Sequence, residues 1–167
     1  HAFAGGLSYH TLSILRLAEQ VATLYPAIDR QLLYAGTILH DLGKTIELSG
    51  AVATEYTVAG KLVGHISLID GELTAACRAL QLDPAREEVV VLRHLVLAHH
   101  GLLEYGSPVR PQILEAQVLH QLDELDANLL TMTAALKDTA PGDFTPRLFA
   151  LDNRAFYRPT FEQKPGD

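Results

Sequence analysis

The sequence has few of the residues that mark secreted proteins and proteins that coat nucleic acids. Its 167 residues include one cysteine, one methionine and no tryptophan, and 13 Lys and Arg stand against 20 Asp and Glu. Because Cys77 has no partner for an internal disulfide, we expect a reducing compartment, the cytoplasm. The net charge of −7 argues against a large non-specific nucleic-acid surface, although a local basic track is compatible with it.

Long hydrophobic runs are also missing. No apolar stretch approaches the roughly 18 residues that a membrane span requires, and no signal peptide is visible, so we expect no membrane association. Hydrophobic residues make up 48% and charged residues 20%, which is typical of a soluble globular domain. The chain begins with His1 instead of Met, and we expect it to be a fragment of a longer protein.

Helical periodicity dominates the chain. Asp29 is a plausible N-cap and Gly43 a typical helix stop, whereas Gly60 and Gly64 favour close packing inside a long third helix. Strand signals are weak, because the β-branched residues 88–92 lie inside a helical pattern. We therefore predict an all-α bundle of five or more helices. The predicted helices cover residues 9–24, 29–43, 54–80, 83–101 and 111–136.

The predicted domain covers residues 1–136, and residues 137–167 form an irregular C-terminal tail that we expect to pack on it. The tail is rich in Pro, Gly, Asp and aromatic residues. These aromatics could cover the core or contact another subunit, which leaves a homo-oligomer open. They are Phe144, Phe149, Phe156, Tyr157 and Phe161.

The eight histidines lie mostly inside apolar helices. A single buried histidine is usually a core residue with a satisfied hydrogen bond. A whole set of buried imidazoles and carboxylates is costly unless a charged group binds them. A divalent metal accepts both ligand types, and helical bundles build metal sites from facing helices. The candidate ligands are His10, His40, Asp41, His65, His99, His100 and Asp123.

The spacing of the doublet His40-Asp41 is informative. Adjacent helical residues point about 100° apart, so both can face one site only near a helix end. An aspartate at that place has two oxygens and could bridge two metals. His120 lies close to the face of Asp123, and we interpret it as a supporting or core residue.

These residues resemble the HD superfamily of metal-dependent phosphohydrolases. The string His40-Asp41-Leu42-Gly43-Lys44 resembles its HDxGK stretch, with His10 before it and Asp123 after it. In the superfamily this lysine approaches the substrate phosphate. His65 and the doublet His99-His100 resemble the extra ligands of two-metal members. Three-metal members place a Glu one turn before the first His, where this chain has Gly6, so two metals are expected.

Seven stretches of the sequence carry a narrower resemblance: residues 6–11, 33–36, 54–57, 64–67, 99–101, 104–108 and 122–127. They resemble the HD domain of the YhaM-type 3′-to-5′ exoribonucleases. In that family an OB-type domain precedes the HD domain. No OB-like strand pattern is present in this sequence, so the resemblance implies a catalytic fragment. The missing N-terminal domain would provide much of the binding to the single-stranded nucleic acid. Cyclic-dinucleotide phosphodiesterases of the superfamily carry Gly-Tyr-Pro after the His doublet. The corresponding loop of this chain is Tyr105-Gly106-Ser107-Pro108, which argues against that activity.

The resemblance implies two divalent cations. Manganese is the first candidate, and Co, Fe, Zn or Ni are alternatives, because the mixed nitrogen and oxygen ligands suit them better than Mg. One cation would take His10, His40, Asp41 and Asp123, and the other would share Asp41 and take His65, His99 and His100.

The implied reaction is 3′-to-5′ exonucleolytic hydrolysis of single-stranded RNA, or DNA, to nucleoside 5′-monophosphates. Asp41 and Lys44 would be the catalytic residues, with Lys44 neutralising phosphate charge. Tyr105, Ser107 and Arg110 could bind the terminal nucleotide, although Arg110 is equally a plain surface charge. The alternatives are an HD-type hydrolase of nucleotides or cyclic nucleotides and a non-catalytic HD-like signalling or interaction module.

Overall fold

The computed structural model describes residues 5–50 and 55–161. These residues are mostly helical, with one small sheet, so the predicted all-α bundle is confirmed. No helix of the described part is long and apolar enough to cross a membrane. The helices are α1 Gly6–Leu24, α2 Arg30–Leu39, α3 Lys44–Glu47, α4 Val58–Val63, α5 His65–Ala79, α6 Glu87–Ala98 and α7 Leu114–Lys137.

The chain divides into two compact units, His1–Asp123 and Glu124–Asp167, and the boundary falls within α7. The first unit contains the hydrophobic core, where each fully buried aliphatic side chain contributes about 1.5–3 kcal/mol. Helices α2 and α6 approach closely, because a Cβ at Gly36 would lie 2.3 Å from Leu95 Cδ2. The core residues are Ile14, Ala18, Ala22, Ile28, Leu33, Leu95, Ala116, Leu119 and Leu122.

The second predicted helix begins where expected and ends early. Asp29 caps α2, since its carboxylate accepts a hydrogen bond from the Leu32 N–H at 3.1 Å. Extension of the helix to Gly43 was wrong, because residues 40–43 form turns and the chain restarts as the short helix α3. In this turn the Lys44 backbone N–H donates a hydrogen bond to the Asp41 carbonyl at 2.9 Å. The His-Asp doublet therefore lies at a helix end.

The prediction of one continuous third helix was wrong. Its predicted start, Thr54, lies outside the described residues. The rest of the segment is divided between a strand, α4 and α5, and Gly64 separates the two helices with φ 77° and ψ 151°, which interrupts helical geometry. Thr57 caps α4 by accepting from the Gly60 N–H at 2.9 Å. Strand β1, Leu48–Ser49, pairs antiparallel with β2, Glu55–Tyr56.

The last two helices begin later than expected. Asp83 does not cap α6; its carboxylate accepts from the Ala85 N–H at 2.9 Å and closes a turn before the helix starts at Glu87. Helix α7 starts at Leu114, three residues after Pro111. Helices α5 and α6 are joined by the Arg93 guanidinium, which donates to both oxygens of Asp70 at 2.7 and 2.9 Å.

The second unit continues from the C-terminal part of α7 into an irregular segment. The predicted irregular character of the tail is confirmed, because beyond Lys137 only the isolated bridges Phe144–Tyr157 and Leu148–Arg154 and the 3₁₀ turn Phe149–Leu151 are present in the described residues.

Candidate metal centre

Asp41 lies at the centre of the predicted ligands. Its Oδ2 is 3.7 Å from the Nε2 atoms of both His10 and His40. Its Oδ1 is 3.4 Å from His65 Nε2 and 3.8 Å from His99 Nε2. The side chain is almost fully buried, with 2% of the residue exposed. The carboxylate therefore turns one oxygen toward each of two histidine pairs.

The predicted ligands form two groups that share Asp41. In each group the potential ligand atoms lie within 4.8 Å of one another. Asp123 lies beside one of them, with Oδ1 2.9 Å from His10 Nε2 and 4.0 Å from His40 Nε2. The groups are His10, His40 and Asp41, and Asp41, His65, His99 and His100.

The helix ends orient the imidazoles. His40 and His99 are the C-caps of α2 and α6, and each Nδ1 lies 2.7 Å from the carbonyl oxygen three residues earlier, that of Thr37 or Val96. Such carbonyls have no intrahelical partner. Since a carbonyl only accepts, Nδ1 must carry the proton, and the lone pair of a neutral ring is on Nε2. His100 Nδ1 donates similarly to the Tyr105 carbonyl at 2.6 Å.

Four buried polar atoms indicate that a cation fits here. The atoms His40 Nε2, Asp41 Oδ1, His65 Nε2 and His99 Nε2 have no hydrogen-bond partner in the described part of the chain. An unsatisfied buried polar group costs about 1–3 kcal/mol. All four belong to the same cluster, and a divalent cation would satisfy nitrogen and carboxylate ligands together. The residues present therefore fit divalent cations.

Burial keeps three of the imidazoles neutral. It lowers the pKa of His99 to about 3, and the neighbouring His40 and His100 rings act in the same direction. Burial also lowers the pKa of His40 and of His65, against the opposing effect of Asp41. Neutral imidazole is the form that binds metals, so burial favours the metal-binding form of all three rings.

The carboxylates stay ionised despite their burial. Burial opposes ionisation of Asp41, but the Lys44 ammonium, which donates a hydrogen bond to its Oδ2 at 2.6 Å, holds the pKa of Asp41 well below the ordinary value. Burial likewise opposes ionisation of Asp123, and its hydrogen bond with His10 lowers its pKa. Both side chains therefore offer negatively charged oxygens to a cation.

The predicted substrate residues differ in accessibility. Lys44 is 30% exposed at its side chain, and its Nζ lies 2.6 Å from Asp41 Oδ2. Tyr105 and Arg110 are exposed. Ser107 is only 1% exposed, and its hydroxyl accepts from the His100 N–H at 3.1 Å, which steadies the His doublet. The roles of these residues in substrate binding stay predictions.

Sequence reasoning missed Glu47. The Glu47 carboxylate contacts the backbone N–H and the ring Nδ1 of His65. In the sequence it stands between Ile46 and Leu48, and a single charge between two apolar residues is only a weak signal of a functional role. His120 has the predicted supporting position, because its Nδ1 donates to the His99 carbonyl at 3.0 Å.

The fold and the cluster define a helical domain whose histidines and aspartates suit divalent metal. The family model for the HD domain matches residues 7–128. The chain belongs to the HD domain family, which implies dependence on a divalent metal.

Curated relatives narrow the family further. Proteins named 3′-5′ exoribonuclease YhaM from Bacillus velezensis and Bacillus subtilis are each 55% identical over 163 residues, covering 98% of this chain and 51% of the relative. The YhaM of Listeria innocua is 56% identical over 162 residues, covering 97% and 51%. The chain thus spans about half the length of these relatives, and the resemblance seen in its motifs is confirmed. No solved structure matches significantly.

Proposed function

We propose that the chain is the catalytic domain of a metal-dependent 3′-to-5′ exoribonuclease, which acts on single-stranded RNA and releases nucleoside 5′-monophosphates. The observation that carries the proposal is the position of Asp41, whose two oxygens face separate groups of buried histidines. The substrate and direction are taken from the exoribonucleases to which the chain is similar.

Each ligand group would hold one divalent cation. The nitrogen-rich group of Asp41, His65, His99 and His100 suits manganese, cobalt, iron, zinc or nickel better than magnesium. Manganese is our first candidate for both positions. When bound, the two cations would lower the pKa of a water and neutralise charge on the phosphate.

The residues of the chain would direct the hydrolysis. The water oxygen forms a bond to phosphorus, and the bond from phosphorus to the 3′-oxygen of the preceding nucleotide breaks. That oxygen takes a proton, which leaves RNA one nucleotide shorter with a 3′-hydroxyl. The side chain of Lys44 is partly exposed and would direct its ammonium toward the phosphate oxygens, and Tyr105 and Arg110 are accessible for the terminal base and its phosphate.

The test is digestion of 5′-labelled single-stranded RNA by the purified chain with manganese. We expect a ladder of shortened labelled products, with nucleoside 5′-monophosphates detected by chromatography, and no digestion with a chelator. Asp41→Asn replaces the shared carboxylate with a neutral amide and should lower the rate by about 100-fold or more, because the same side chain would serve both cations. Asp70→Asn is the control, because Asp70 binds Arg93 and belongs to neither ligand group.

Two results would contradict the proposal. Failure to shorten RNA with any of the five metals is one, provided that circular dichroism shows a folded chain. Hydrolysis of nucleotides or cyclic nucleotides without RNA digestion is the other, and it would support the alternative HD-type activity. A parallel assay on single-stranded DNA measures the sugar preference.

A further inference from the structure

Glu47 is a buried carboxylate beside the metal centre that belongs to neither ligand group. We propose that Glu47 is a positioning residue that selects the Nδ1–H tautomer of His65 and thereby sets the affinity of one cation site. This inference deepens the proposed function and rests on it for the identity of that site. The site concerned is the group of Asp41, His65, His99 and His100.

One oxygen of Glu47 serves both the helix end and the ring. Its Oε1 accepts from the His65 backbone N–H at 3.1 Å and lies 3.3 Å from His65 Nδ1. His65 is the first residue of the 15-residue helix α5, and the preceding Gly64 offers no side-chain cap. The helix dipole favours negative charge at this end. The carboxylate thus has a physical reason to stay where it holds the ring.

The backbone of Glu47 is held on several sides. Its N–H donates to the Gly43 carbonyl at 2.9 Å, and its own carbonyl accepts from the Thr57 N–H at 2.9 Å. Gly60 packs directly on it, because a Cβ there would lie 2.2 Å from the Glu47 carbonyl oxygen. With 8% of the residue exposed, the side chain has little freedom to turn away.

His65 differs from His40, His99 and His100 in the nature of the group that faces its Nδ1 atom. The Nδ1 atoms of His40, His99 and His100 bond backbone carbonyls, which a side-chain substitution does not remove. A carboxylate acceptor fixes the tautomer and also makes the ring a more basic metal ligand. Replacement of Glu47 should therefore weaken one cation site and spare the group of His10, His40 and Asp41.

The experiment compares Glu47→Ala and Glu47→Gln with the same changes at Glu115. Glu115 is an equally buried carboxylate, 8% exposed. It accepts from the Asp29 N–H at 2.8 Å, at the end of α2 opposite to the doublet. Histidine tautomers are read from ¹⁵N NMR of the metal-free chain at neutral pH, and manganese binding is measured by calorimetry. Circular dichroism checks that each variant is folded.

We expect Glu47→Ala to lose the single Nδ1–H tautomer of His65 and to weaken one manganese-binding step by about 10- to 100-fold. Glu47→Gln keeps an acceptor oxygen without the charge, so the tautomer should remain and the affinity should fall less. This second variant also preserves shape if the alanine protein is unfolded. The Glu115 variants should leave both the His65 tautomer and the two binding steps unchanged.

An unchanged His65 tautomer together with two unchanged binding steps in both Glu47 variants would overturn the inference. Equal weakening of both steps, or the same effect from Glu115→Ala, would also overturn it, because it would show a general structural role. If the wild-type chain binds no metal, the proposed function fails, and the metal-free NMR comparison still decides the role of Glu47.

Discussion

A Gly60→Ala substitution tests the close approach of α4 to Glu47, the residue that contacts His65 of the candidate metal centre. A Cβ at this buried position in α4 would lie 2.2 Å from the carbonyl oxygen of Glu47 and 2.9 Å from its carbonyl carbon and Cα. These are backbone atoms, which cannot rotate aside as a side chain can. Gly71 is the matched control, because it lies exposed within α5 and a Cβ there would meet nothing within 4 Å.

The two substitutions should differ in their effect on stability, with Gly60→Ala the less stable variant. Alanine is better than glycine within a helix by roughly 0.5–1 kcal/mol, so Gly71→Ala should raise the free energy of unfolding by about that amount. Gly60→Ala has the same helical gain, but forcing extra volume into a packed interface costs about 1–3 kcal/mol. We expect Gly60→Ala to unfold more easily than Gly71→Ala by that 1–3 kcal/mol, about the cost of the overpacked contact.

Urea denaturation of the metal-free variants, followed by circular dichroism, measures the difference from midpoints at a common slope. Manganese calorimetry on the same proteins should show one weakened step for Gly60→Ala, since a displaced Glu47 no longer holds His65. If Gly60→Ala stabilises the chain as much as Gly71→Ala, the proposed close contact between α4 and Glu47 is refuted.

Two further results are expected from the chain as a whole. Manganese at about 100 times its dissociation constant should raise the free energy of unfolding by about 2.7 kcal/mol for each cation site that it fills, visible as a higher Tm that a chelator reverses. An unchanged Tm would argue against a native-state metal site. In the metal-free chain, the pKa of His99 lies near 3, below its ordinary value of 6.5, so the unfolded state takes up the proton first as the pH falls. The contribution of the neutral His99 ring to the free energy of unfolding should therefore be fully present above pH 6.5 and be lost toward pH 3, by up to about 1.4 kcal/mol per pH unit. His99→Asn should make the free energy of unfolding, measured by urea titration, less dependent on pH.

The sequence was a good guide where a signal is local or belongs to a motif. Asp29 was predictable as a cap from its residue type and position, and the doublet His40-Asp41 led directly to the cluster. The break at Gly64 was not predictable, because glycine is compatible both with close helix packing and with a positive φ. The error concealed Glu47, whose contact with His65 exists only because the chain turns back through a hairpin and a short helix.

Tautomer control of two proposed ligands comes from the peptide backbone. His40 and His99 each end a helix and donate to the carbonyl three residues earlier, so the side chains of Thr37 and Val96 are not needed for this bond. Alanine scanning along these helices would accordingly report no determinant of ring orientation. Replacement of the single peptide bond that carries the accepting carbonyl, by semisynthesis, is the change that would expose it. Sequences with quite different residues at 37 and 96 can thus keep the same orientation of both rings.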